Sequence, residues 1–425
     1  MLFSVDAHTI GCHLTGNEVY IRNLLNEFAA LDKSASFVAF VSKHDADRYV
    51  PRRFVKARVS ENPWVRLGFE IPFSLHRQRP DVLHVQYTGP ISCPVPMVVT
   101  VHDVSFLENP EYFTSLRAHQ LKLTVTRTIS KAERILTPSD FSRRAIMAAY
   151  GLPDEKVTAI PNGVSSAFRP MQAEAAAHWV SERYSIPSPF VLMVGDLQPR
   201  KNHLGLIQAF EELLHTHPHL PHRLVMVGKE TWYAPHIRRA AQKSSAADRI
   251  HFTGWVADED LRRFYCAADL FVFPSLYEGF GLPILEAMAC GRAVLCSNTS
   301  AMPEVANAAG ILFDPYSVPE IVWAMQDVLL DSELRLRLER LGLKRAASFS
   351  WNRAAQRTLN VYYQVAEARR GLESLKEKRG AADAQFFTVP HIWHGKTQLA
   401  NLSRAGAVRD LLVPLVLESG NRLAK

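Results

Sequence analysis

The sequence predicts an α/β protein of two domains, each a parallel sheet covered by helices, and three observations carry that expectation. A chain of 425 residues is too long for one ordinary core and suits two. Hydrophobic residues make up 47% of it, so both halves can bury a core. Short apolar runs alternate with amphipathic segments through residues 1–165, and the same alternation restarts at residue 186.

In the first half, Phe37–Val41, Val82–Val85 and Met97–Val101 are strand-like, rich in β-branched residues. Asn17–Leu31 and Leu116–Lys131 have helical spacing. Ile135–Pro138 reads as a further buried strand, followed by a helix that Ser139 or Asp140 can cap. Pro161-Asn-Gly-Val164 is a turn signal that closes this half, and the polar, alanine-rich Ser165–Pro189 reads as a connector. The second half gives strands at Phe190–Gly195, Arg223–Gly228, Ile250–Thr253, Leu270–Pro274 and Ala293–Ser297. Its helices fall at Asn202–His215, Asp258–Ala267, Pro283–Cys290 and Val318–Leu330. Past Arg370 the pattern weakens, and residues 371–425 carry no assignable structure. Ligands bind outside the carboxyl ends of strands in such sheets, so function is expected in a cleft between the domains.

Composition narrows the function classes. The formal charge is +7, yet no basic face is interleaved with aromatics, so no nucleic-acid partner is expected. The five cysteines are scattered, as in a reduced cytoplasmic protein, and neither a signal peptide nor a spanning segment is read at Met1–Asp6 or beyond. Arg48, Arg52, Arg53, Lys56 and Arg58 form one basic group suited to headgroups at the inner face of a membrane, or to a solvated loop. His215, His217, His219 and His222 lie among prolines and read as a surface turn, not a metal site. The Asp45/Asp47 and Asp258/Asp260 pairs each open an apparent helix, where caps and the helix dipole explain acids.

The chemistry concentrates in Ser275–Gly291, which sets Glu278 and Glu286 eight positions apart. Between them, Gly279-Phe280-Gly281 permits an unusual loop, and Leu282-Pro283 suits the start of a helix. Loop amides and a helix N-terminus make an anion site fit for a diphosphate. Glu286, in the first helical turn, can accept hydrogen bonds from vicinal ribose hydroxyls, with Glu278 nearer a transferred sugar. Arg200 and Lys201 sit at a helix start, an unfavourable end for cations, which itself argues for an anion nearby.

This segment resembles the E-x7-E signature of the family 4 retaining glycosyltransferases, which have the GT-B fold. Val194–Asn202 looks like that family's Arg-Lys motif, Ile160–Val164 like its inter-domain turn, and Ile250–Asp269 is similar to its Phe-Thr-Gly run. Ser350–Arg353 resembles the point where the last helices return to the first domain, so the likeness spans about residues 5–368.

The resemblance implies two Rossmann-like domains facing a cleft. Residues 1–165, completed by a helix near 351–370, would bind the acceptor; residues 186–350 would bind a nucleotide-diphosphate sugar. It implies that Arg200 and Lys201 stabilise the departing diphosphate with no metal or resident cofactor, and that His102, in Thr100-Val-His-Asp-Val104, contacts the donor sugar. Gly16 matches a glycine-rich donor loop, here with one glycine where many members have two. GDP-mannose is the first expectation for the donor, beside UDP-sugars, with a glycan, glycolipid or lipid-linked acceptor. The alternatives are a phosphorylase or epimerase on the same fold, or a non-catalytic nucleotide-sugar-binding partner.

Overall fold

The computed structural model describes residues 1–12 and 15–386. Seven strands form the first sheet: β1 (Leu2–Asp6), β2 (Ser36–Val41), β3 (Val55–Arg58), β4 (Val82–Gln86), β5 (Met97–Thr100), β6 (Arg134–Thr137) and β7 (Val157–Ala159). Six form the second: β8 (Phe190–Val194), β9 (Arg223–Val227), β10 (Ile250–Gly254), β11 (Leu270–Phe273), β12 (Val294–Ser297) and β13 (Ile311–Phe313). All pairings are parallel, in the orders β3-β2-β1-β4-β5-β6-β7 and β10-β9-β8-β11-β12-β13. Central strands such as β4, β5, β8 and β11 are buried along their whole length, and β8 and β11 accordingly read as continuous apolar runs. The strand order reverses at β1/β4 in one sheet and at β8/β11 in the other, and each reversal opens a crevice at the carboxyl ends.

The last helix, Trp351–Phe386, returns to the first sheet. Trp351, Ala355, Leu359, Tyr362 and Ala366 are buried in the same core as Phe3, Phe28 and Phe37. Tyr362 bonds to His84 Nδ1, and His84 Nε2 lies 2.7 Å from Thr100 Oγ1, tying this helix to the strand that carries the His102 loop.

Two sequence expectations change. Gly163 is not a turn glycine: a Cβ there would fall 2.0 Å from the Trp351 nitrogen, so the residue is bare because the chain passes the start of the last helix. The connector also holds a helix, Ala173–Tyr184, whose Ala176 and Val180 are fully buried. Tyr184 packs on Phe264, and Arg263 lies 4.4 Å over the Trp179 ring. Its alanines, read as linker, are the strongest helix formers. Of residues 371–425, the part described continues the last helix to Phe386; the rest lies outside the described residues.

Candidate active site

Arg200 and Lys201 follow β8 in a short turn, Pro199–Lys201, and Glu278 follows β11, so all three stand at the strand-order reversal of the second sheet. Lys201 Nζ is 2.5 Å from Glu278 Oε1, and Arg200 Nη1 donates to Glu278 Oε2 at 3.0 Å and to the Tyr277 carbonyl at 3.1 Å. Gly195 lets the Lys201 stem pass, since a Cβ there would meet its Cδ at 3.2 Å. The ammonium then lies 4.8 Å over the Phe273 ring.

Lys201 and Glu278 are only 8% and 7% exposed. Burial alone would raise the Glu278 carboxyl, but the two cations outweigh it and hold it at about 2. Burial pulls the Lys201 ammonium below its usual range, against the opposing charge of Glu278. The Arg200 guanidinium is pushed higher still, because Glu278 and Asp103 outweigh its burial. Two fixed cations share one carboxylate here, at the carboxyl ends of β8 and β11.

The loop beyond Glu278 is held from both lobes. Ser300 Oγ accepts from the Glu278 amide at 3.0 Å. The carbonyl of Gly279 accepts from Ser139 Oγ at 2.7 Å and Ser142 Oγ at 3.2 Å, and Ser142 Oγ also donates to the His102 carbonyl. A Cβ on Gly279 would meet the His102 carbonyl oxygen at 2.1 Å, so glycine is required by the contact between lobes. Gly281 has φ +107, a left-handed conformation that places Leu282 at the start of the helix Leu282–Ala289. Among the described residues, the Gly279, Phe280 and Gly281 amides have no hydrogen-bond partner.

Glu286 is the fifth residue of that helix and therefore on its second turn, a correction to its first-turn placement. It is buried, accepts from the Tyr265 hydroxyl at 2.9 Å, and burial raises its carboxyl to about 7. Arg22, from the first lobe, pairs with Asp258 beside it.

His102 lies in the loop after β5; its Nε2 donates to Gln86 Oε1 at 2.9 Å. The rings of Tyr20 and Tyr87 stand 4.8 and 5.6 Å away, and burial lowers the imidazole to about 4, so it is neutral at physiological pH. Gly16 lies in the first turn of the helix Thr15–Leu31, exposed, with open space where a Cβ would be.

Sequence reasoning missed Tyr265, Tyr87, Ser300 and Glu304. Tyr87 and Ser300 are held at φ 56 and 53, left-handed conformations unusual for residues with a Cβ. Glu304, from the second lobe, accepts the Asp140 and Phe141 amides at 3.0 and 3.1 Å, capping a helix of the first. Its partners lie more than 160 residues away, and no local pattern signals such a contact.

The remaining groups named from the sequence make local contacts. Asp47 pairs with Arg58, Asp260 with Arg263, and His222 Nε2 with Asp269 at 3.2 Å. Of the basic group, Arg53 donates to the Ala29 and Ala35 carbonyls and Lys56 to that of Asp47. Among the described residues no helix is long and apolar enough to cross a membrane.

Two parallel-sheet Rossmann-like lobes facing a cleft are the GT-B architecture of nucleotide-sugar enzymes, and the comparisons agree. Residues 182–345 match the family described as Glycosyl transferases group 1, and residues 14–168 match Glycosyltransferase Family 4. The chain belongs to this glycosyltransferase family. It is 35% identical over 266 residues to O-antigen chain mannosyltransferase B of Escherichia coli, covering 62% of this chain and 69% of that protein. Sucrose-phosphate synthase of Thermosynechococcus elongatus shares its fold with a TM-score of 0.71 at 20% identity, over 86% of this chain and 99% of that one. HepE of Anabaena, solved with UDP-glucose, does so at 0.66 and 17%, over 87% and 99%.

Proposed function

We propose that this glycosyltransferase is metal-independent and retaining, and moves a mannosyl group from GDP-mannose to a glycan or lipid-linked acceptor at the cytoplasmic face of a membrane. The buried Arg200–Lys201–Glu278 cluster at the strand-order reversal carries the reading. A nucleotide-diphosphate leaving group gains negative charge as the glycosidic bond breaks, and two cations fixed beforehand stabilise that charge more than the ground state. In this reading the second lobe, residues 186–350, holds the donor: the amides of Gly279, Phe280 and Gly281 and the start of the helix at Leu282 face the diphosphate, Glu286 the ribose, and Glu278 the sugar. The first lobe, residues 1–165 with the helix near 351–370, presents the acceptor and His102. Closure of the lobes excludes water that would hydrolyse the donor.

Mannose is favoured by the likeness to the Escherichia coli O-antigen mannosyltransferase, and a nucleotide-sugar donor agrees with the UDP-glucose complex of HepE. The test pairs a thermal-shift screen of nucleotide-diphosphates and their sugars with turnover of Lys201→Ala on the donor found. The variant should bind donor and lose turnover by about a hundredfold or more. Wild-type turnover in Lys201→Ala would sink the leaving-group role.

A further inference from the structure

The helical run between β3 and β4 has an outward face that no part of the described chain covers. It begins as an α-helix at Pro63–Val65, passes through a π turn at Arg66–Glu70, and resumes as an α-helix at Ile71–Gln78. In the π turn the Ile71 amide donates to the Arg66 carbonyl, five residues back. Residues five apart in an α-helix point about 140° from one another. The π turn changes that angle between the two α segments, and Phe73 lies four residues beyond Phe69, one turn further along. Trp64, Phe69 and Phe73 are 70%, 74% and 71% exposed, while Arg66, Ile71 and Leu75 on the opposite face are buried. Ile91, 54% exposed, widens the patch, since its amide bonds to the Leu67 carbonyl.

The surrounding charge selects the occupant. Residues 43–79 contain nine lysines and arginines against four acids, a net +5 of the whole chain's +7. Arg77 lies one turn beyond Phe73 and lines the same shallow cavity of about 280 Å³ with Arg58. A stripe of aromatics bordered by cations matches the two layers of an anionic bilayer surface, acyl boundary and phosphate headgroup. The run also starts at the carboxyl end of β3, the edge of the sheet that faces the cleft.

We propose that Trp64, Phe69 and Phe73 insert into the headgroup region of an anionic membrane, with Arg77 and its neighbours on the phosphates. This gives the membrane contact of the proposed function a specific surface and rests on that reading only for its purpose, because binding is measured without transfer. The full chain should float with phosphatidylethanolamine vesicles that contain phosphatidylglycerol, bind phosphatidylcholine vesicles weakly, and release as salt rises. Trp64→Ser/Phe69→Ser/Phe73→Ser should lower partitioning about a hundredfold at an unchanged melting temperature, because all three side chains are exposed. Trp64→Ser alone should lower it several-fold, and Arg77→Glu should weaken binding to the anionic vesicles only. The proposal is overturned if the wild type does not float, or if the triple variant floats as the wild type does. It is also overturned if light scattering shows a dimer that the triple variant splits with vesicle binding unchanged, which would assign the stripe to a second copy. Transfer that fails in the wild type while vesicle binding holds would remove the proposed reaction and leave this surface standing.

Discussion

Glu278→Gln separates two properties that the wild-type site combines. The carboxyl is held at about 2 in the folded chain against an ordinary 4.5, by Arg200 and Lys201 acting against its burial. A folded value below the unfolded one gives stability that is present above pH 4.5 and lost as pH falls through 2. At neutral pH the difference amounts to about 3 kcal/mol. The buried Lys201 ammonium, pulled down by desolvation, offsets part of that gain, so about 3 kcal/mol is an upper bound for the loss in the glutamine variant. The same substitution leaves the half-buried Arg200 and the buried Lys201 without their shared carboxylate. Removing one negative charge about 5 Å from an entering phosphate relieves about 3 kcal/mol of repulsion at an effective dielectric constant of about 20.

The variant should therefore be less stable in urea and bind pyrophosphate or a nucleoside diphosphate more tightly, by tenfold or more. Urea denaturation of the free protein and titration calorimetry with pyrophosphate measure the two effects separately. Destabilisation with unchanged or weaker pyrophosphate binding would refute the idea that Glu278 occupies cations meant for phosphate.

Two further predictions follow from neighbouring groups. Burial raises the Glu286 carboxyl from 4.5 to about 7, so its contribution to stability is full below pH 4.5 and lost as pH rises through 7. A bound ribose favours the ionised form, so donor affinity should increase from pH 6 to pH 8 in the wild type and lose that dependence in Glu286→Gln; a flat wild-type calorimetric profile would count against ribose binding here. Glu304→Ala removes the acceptor of both the Asp140 and Phe141 amides across the lobes, about 1 kcal/mol for each hydrogen bond. Its radius of gyration in solution scattering should increase relative to the wild type, with Glu304→Gln between them; identical scattering would show that this cap does not hold the lobes together.

The sheets were legible because their central strands are buried on both faces and read as unbroken apolar runs, as in Phe190–Val194 and Leu270–Phe273. The edge strand β3 was not: Val-Lys-Ala-Arg is short, half-exposed and carries two cations, and it was read only as part of a basic group. The helix Ala173–Tyr184 failed for a different reason. Its buried stripe is alanine and valine, too small to stand out from an alanine-rich background, although alanine's high propensity favours a helix there.

The site was legible where the chain itself brings its parts together. Glu278, Gly281 and Glu286 lie on one loop and helix, and Arg200 and Lys201 follow the neighbouring strand, so a strand-loop-helix pattern predicts their convergence. What no pattern predicts is the set of contacts made by folding two lobes onto each other: Ser139 on Gly279, Glu304 on the Asp140 amide. Gly279 is the instructive position. A glycine between two glutamates suggests a loop that needs a left-handed residue, and Gly281 is such a residue, with φ +107. Gly279 is bare instead because the His102 carbonyl would stand 2.1 Å from its Cβ. The two glycines look alike in the sequence, but one shapes the loop and the other admits the opposite lobe. The loop after β11 is thereby joined to the His102 segment by close backbone contact across the lobes.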